Sequence, residues 1–249
     1  MTRFKQGISS LLAGFSLITR PGIRLYVLVP LLINTLLFAG VIIYGANLVS
    51  DLINSMIAQW QWLQWLEWLV WPLFVIVSLT IVFFCFSIVA NLVGAPFNGF
   101  LAEAVERHLL KQEKVDTVSR PLLEEILLAF KAELQKLLYF ALRAIPLLLL
   151  FIIPIVNVSA PLFWFLFSAW MLALEYMDYP MSNHGLLFKQ QREKLFASKQ
   201  LTFGFGLGVM ILTLIPVINF LAMPVAVAGA TKMYVDNREF RLETDNGNS

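Results

Sequence analysis

One cysteine and two histidines in 249 residues leave little material for thiolate, redox or imidazole chemistry. Cys85 has no second cysteine to pair with, so no disulfide forms within the chain. No His/Cys/Asp/Glu spacing resembles a metal site, and no Gly-x-x-x-x-Gly-Lys phosphate loop is present. No nucleophile–base pair or paired carboxylates stand at a recognisable catalytic spacing, so the expectation is a non-enzyme with no cofactor and no metal. Charge is scarce too: charged residues make up 14% of the chain and the net charge is +2, too little for a nucleic-acid partner.

What fills the chain instead is apolar. Hydrophobic residues reach 59% and the mean hydropathy is +0.77, against an apolar share of about 45–50% in soluble domains. The reading is an all-α integral membrane protein, a single membrane domain over 1–238 whose solvent is the lipid bilayer. Along 3–19, Phe4, Ile8, Leu11, Leu12, Phe15 and Ile18 share a helical face opposite Lys5, Ser9, Ala13 and Ser16. That pattern predicts an interfacial helix. No small-x-small cleavage site precedes Arg20, so the segment is expected to stay as an anchor.

The run 22–49 is long enough to cross a core of about 30 Å, and 70–112 reads as a second, long transmembrane helix with a kink at 95–99. Between them Trp60, Trp62, Trp65, Trp68 and Trp71 suit an interfacial belt. An amphipathic helix is expected over 120–138, and a polar, disordered tail over 239–249. All 18 Lys and Arg fall in the N-terminal segment, the 103–143 region, the 189–199 loop or the 232–241 tail. By the positive-inside rule these share the cytoplasmic side, with both termini.

An internal repeat follows. Ile153-Pro154-Ile155-Val156-Asn157 is echoed by Ile215-Pro216-Val217-Ile218-Asn219, each followed by a second proline (Pro161, Pro224) and a Tyr-x-Asp (Tyr176, Asp178; Tyr234, Asp236). Each copy reads as a helical hairpin, over 139–178 and 200–236. The stretch from Arg143 to Pro154 makes only about 16 Å of helix, half of the hydrocarbon thickness, so both hairpins are expected to be re-entrant, half-penetrating from the cytoplasmic face.

Thr19-Arg20-Pro21-Gly22-Ile23-Arg24 offers an anion seat. Thr19 suits an N-cap, Pro21 the first helical turn, and Gly22 would leave first-turn N–H groups open to an oxyanion flanked by two guanidiniums. Further along, Asn91, Asn98, Glu103, Glu106 and Arg107 collect near the inner membrane surface, where polar groups are costly unless they face protein or water, and so point to a pathway. An i,i+4 ion pair, Glu103 with Arg107, is the plainer reading. His184 is either an anion donor or proton-sensitive gate, or a bystander in its loop. Glu175, Asp178 and Asp236 could pair with Arg20, Arg24 or Arg107. The glycines around 204–208 and Gly229 are read as helix-contact positions.

Five runs carry a resemblance over nearly the whole chain: Arg20 to Arg24, Ala95 to Gly99, Leu162 to Trp170, Asp178-Tyr179-Pro180 with Asn183-His184, and Met223 to Thr231. In these the chain resembles the CysZ family of bacterial sulfate permeases. The resemblance implies an inner-membrane, multi-pass protein that admits sulfate, or a related oxyanion such as sulfite, for cysteine biosynthesis. It also implies two long transmembrane helices, two half-penetrating hairpins, and a homo-oligomer, dimer or higher. The family's Gly-[Ile/Leu]-Arg anion motif is matched by Gly22, Ile23 and Arg24. Members often carry a second Arg next, where Leu25 stands here; either Arg20 supplies that guanidinium or the site rests on one Arg with backbone amides. A non-transporting membrane scaffold or assembly factor is the alternative function, needing no anion seat.

Overall fold

The computed structural model describes residues 2–59, 67–112 and 122–241. Among them the chain is all α-helical: α1 Arg3–Ile18, α2 Arg24–Gln59, α3 Glu67–Leu110, α4 Leu122–Leu150, α5 Ala160–Asn183, α6 Phe188–Ala197, α7 Lys199–Leu214 and α8 Pro216–Asp236. Three stretches among the described residues are long and apolar enough to cross a membrane, Arg24–Gly45, Ala160–Asn183 and Pro216–Asp236. By packing the chain forms two compact units, Leu25–Phe97 and Met1–Arg24 with Asn98–Ser249.

In the unit Leu25–Phe97, α2 exposes Leu25, Val29, Leu31, Leu37 and Ile43 on several sides. A helix apolar all round with Pro30 inside it is at home in lipid, where neighbouring groups re-satisfy the carbonyl that the proline leaves open. The second expected crossing is one continuous helix, α3, unbroken through 95–99. Trp60, Trp62 and Trp65 lie outside the described residues.

The other unit has a core of α1, α5, α7 and α8. α1 splits the apolar stripe read from its sequence: Phe4 and Leu12 are exposed, whereas Leu11 and Ile18 are buried together with Gly7, Ser10, Gly14 and Leu17. Lipid accepts leucine, so the face that packs is the one whose small residues let backbones meet. A methyl on Gly7 would strike the Leu201 carbonyl, and one on Gly204 the Phe4 carbonyl, so α1 and α7 touch main chain to main chain. Gly206 meets Ala169 of α5, and Gly229 meets Leu11, in the same way.

The first hairpin differs from expectation in its leading arm. From Leu122 the segment expected to end at 138 and the hairpin arm from 139 are one helix, α4, because no glycine or proline interrupts it before Pro146. Residues 113–121 lie outside the described residues. At the tips the repeat survives as a shared hydrogen bond: Asn157 N–H donates to the Ile153 carbonyl (3.0 Å) and Asn219 N–H to the Ile215 carbonyl (2.8 Å). The copies then diverge. Ile155 takes φ +72° ahead of a 3-10 turn, Val156–Val158, whereas Pro216 opens α8 directly.

Two further corrections concern the polar segments. The 189–199 loop is largely helical, α6, because Phe188, Gln191 and Leu195 at i, i+3, i+7 make a buried stripe and the Gln190 side chain caps the Leu187 N–H at 2.9 Å. Residues 239–241 are folded instead of disordered: Phe240 is fully buried, and Glu239 accepts from Arg3 (3.0 Å) and from the Ser198 hydroxyl (2.6 Å). Residues 242–249 lie outside the described residues.

Candidate functional site

The junction between α1 and α2 is built as a turn. Thr19 ends α1, its hydroxyl donating to the Ser16 carbonyl at 2.9 Å, so it is not the N-cap of α2. Pro21 and Gly22 hold positions i+1 and i+2 of a type II β-turn, closed by Ile23 N–H to the Arg20 carbonyl (3.1 Å), with Gly22 at φ +87°. Pro21 therefore precedes the helix, which starts at Arg24. The Arg24 N–H also donates to the Arg20 carbonyl (3.1 Å), so the Ile23 and Arg24 amides are engaged instead of open to a ligand. Ile23 is buried and anchors the turn, while Arg20 and Arg24 are exposed on either side. Among the described residues neither guanidinium forms an ion pair.

The polar residues of late α3 meet the end of α5. Glu106, 4% exposed, lies 2.9 Å from His184 Nε2, and the imidazole stacks on Tyr234 of α8 with centroids 5.1 Å apart. Asn98, also buried, donates to the Tyr179 hydroxyl (3.2 Å), and Asn183 donates to the Gly99 carbonyl (3.0 Å). Glu103 and Arg107 stand 4.0 Å apart as the i,i+4 pair of the plainer reading. Asn91 is on α3, but its side chain lies outside the described residues.

The expected partners of Glu175 and Asp178 were arginines; the structure gives them Lys136. Its side chain, 7% exposed, reaches Asp178 (3.0 Å), Glu175 (3.1 Å) and Glu133 (2.6 Å) through the ammonium, and Gln191 of α6 donates to the other Asp178 oxygen (2.8 Å). Burial alone would depress the Lys136 pKa; attraction to Asp178, then Glu175, then Glu133 outweighs it and holds the ammonium well above its ordinary value. Asp236 pairs with Lys232 on its own helix (2.9 Å). The signal for Lys136 lay in the stripe Lys136, Tyr139, Arg143 at i, i+3, i+7, which interrupts the leucines of α4. This places two polar centres in one unit: Glu106–His184 with Asn98, and the Lys136 hub.

A family profile described as "Sulfate transporter CysZ/Etoposide-induced protein 2.4" matches residues 10–224. The chain is 43% identical over 234 residues to a protein of Pectobacterium atrosepticum named sulfate transporter CysZ, covering 93% of this chain and 85% of that one. A Salmonella typhimurium protein of the same name is 42% identical over 234 residues, covering 93% of this chain and 92% of its own. Matches of that extent assign membership, and the chain belongs to the sulfate transporter CysZ/etoposide-induced protein 2.4 family.

Proposed function

We propose that this protein is a sulfate permease of the bacterial inner membrane, admitting sulfate, or a related oxyanion such as sulfite, for cysteine biosynthesis. Relatives at 42–43% identity over 93% of the chain bear the name sulfate transporter. The observation that carries the mechanism is the pair Arg20 and Arg24, exposed, without a carboxylate partner among the described residues, and flanking the Gly22 turn. Sulfate is costly to strip of water, and two forked guanidiniums replace part of its shell with charge-assisted hydrogen bonds. Engagement of the Ile23 and Arg24 amides favours Arg20, over backbone donors, as the group standing in for the arginine absent at Leu25.

Asn91, Asn98, Glu103, Glu106, Arg107 and His184 belong to the route beyond the seat. The hairpins support it as half-penetrating elements. By length α5 and α8 could cross, but their uncharged stretches, 160–174 and 216–231, give only about 22 Å and 24 Å of helix. That falls short of a core of about 30 Å, and charge-free length is the better guide because Glu175, Asp178 and Lys232 resist entering it. Their tips are apolar and outward, Ile155 90% and Val217 81% exposed, which suits lipid and not water. Both termini then lie in the cytoplasm, and a homo-oligomer completes the assembly. The test is radiolabelled sulfate uptake into proteoliposomes, with and without a pH gradient, beside calorimetry. Saturable uptake in wild type and loss of sulfate binding in Arg24→Ala are expected; unchanged affinity in Arg24→Ala rejects the seat.

A further inference from the structure

A second pair of guanidiniums converges away from the Gly22 turn. Arg143 of α4 lies over the Tyr139 ring with its Cζ 3.8 Å from the centroid, and Arg192 of α6 approaches the same ring at 5.4 Å. Tyr139 is buried and fixed: its hydroxyl accepts from Trp170 Nε1 at 3.0 Å, and its ring meets Phe188 edge-on at 5.7 Å. Both guanidiniums thus approach one ring that α4 supplies and that Trp170 of α5 and Phe188 of α6 hold in place.

The arrangement is electrostatically incomplete. Sharing one ring puts the two cations closer together than the Debye length of about 10 Å at 0.1 M salt, so screening does not remove their repulsion. Among the described residues neither forms an ion pair with a carboxylate, since Glu133, Glu175 and Asp178 all turn to Lys136. Cation–π attraction to Tyr139 offsets part of the cost, and an oxyanion bridging two planar forks removes the rest.

The surroundings say which oxyanion. α6 and α7 meet at a bend of 103°, and α7, uncharged after Lys199, is the arm that leads to the second tip. α6 therefore runs across the direction in which α7 enters the hydrocarbon. Leu187 just before it and Phe196 on it are exposed beside Lys189, and Lys199 at the start of α7 approaches the Phe196 ring at 5.4 Å. Apolar side chains next to cations on a helix lying crosswise mark the headgroup layer.

We propose that Arg143 and Arg192, seated on Tyr139, form a second oxyanion site that takes the phosphate of an anionic phospholipid. This rests on the reading of 199–236 as a membrane-entering hairpin, but not on sulfate being the cargo.

The experiment is native mass spectrometry of the full chain in detergent with added phosphatidylglycerol or phosphatidylcholine, reading the fraction of lipid-bound protein. Wild type is expected to retain phosphatidylglycerol over phosphatidylcholine, and R143Q/R192Q to weaken that retention about tenfold, while Arg24→Ala leaves it intact. Equal retention by wild type and R143Q/R192Q overturns the proposal. If R143Q/R192Q fails to fold, R143K/R192K, which keeps the charges and loses the forks, takes its place with weakened retention still expected. In an Arg24→Ala background, inorganic phosphate that raises the melting temperature and displaces no lipid identifies a free-anion site and overturns the lipid assignment.

Discussion

His184 and Glu106 meet at 2.9 Å although 78 residues separate them, and the stacking of His184 on Tyr234 makes that contact the point where α3, the end of α5 and α8 converge. A buried carboxylate satisfied by one imidazole is sensitive to the loss of either partner, because the survivor keeps its desolvation cost. Glu106→Gln is therefore expected to lower sulfate uptake into proteoliposomes about tenfold, since a charged hydrogen bond is worth about 1.5–3 kcal/mol. Sulfate affinity by calorimetry should stay at the wild-type value. Joint loss of affinity and flux would move this cluster into the binding site, and unchanged flux would remove it from the route.

Lys136 ties α4 to α5 through Glu175 and Asp178. Lys136→Met leaves those carboxylates facing each other without a cation. The cost is on the order of 2 kcal/mol, below the 3–5 kcal/mol of a fully buried pair because the Glu133 and Glu175 side chains are 66% and 45% exposed. The pH sign follows from the raised pKa. Stability from a lysine held above its unfolded value of about 10.4 is complete below that value and lost only as pH rises through the folded one. Thermal melts in detergent should show the same deficit for Lys136→Met at about pH 6.5 as at about pH 9. A deficit that vanishes by pH 9 would mean that the ammonium is not held in this way.

What could be read from the sequence depended on sequence distance and on the solvent. The Ile-Pro repeat and the Glu103–Arg107 pair are local, and both appear in the structure. Glu106–His184 and Lys136–Asp178 join residues far apart in the chain, and one sequence supplies the participants without the pairing. The packing face of α1 is hidden in the sequence for another reason. Apolar periodicity finds the buried face of a helix in water, but in a bilayer Leu12 faces outward comfortably and Gly7, Ser10 and Gly14 turn inward. Pro21-Gly22 carries two signatures, a helix start and a type II turn, and the positive φ of Gly22 decides for the turn.

The hairpin depth can be measured at the tips. With Cys85→Ser removing the native thiol, single cysteines at Ile155 and Val217 should resist a membrane-impermeant maleimide added from either side. Nitroxide labels there should relax more with oxygen than with a water-soluble paramagnet. A cysteine at Lys199, where α7 begins, should react from the cytoplasmic side. Rapid labelling of Asn157 and Asn219 variants from the periplasm would instead establish full-length spans.

Gly22 separates shape from space at the anion seat. A Cβ built there meets nothing within 4 Å, so any effect of Gly22→Ala comes from φ +87° and not from a clash. An alanine in that region costs about 1 kcal/mol and drives the turn toward conformations in which Arg20 and Arg24 no longer flank one point. Asparagine visits the same region with little strain. Sulfate affinity should therefore fall several-fold in Gly22→Ala and recover in Gly22→Asn, roughly the factor of five that 1 kcal/mol represents. If both variants bind sulfate as wild type does, the two guanidiniums act without the turn's geometry, and the seat reduces to a local excess of positive charge.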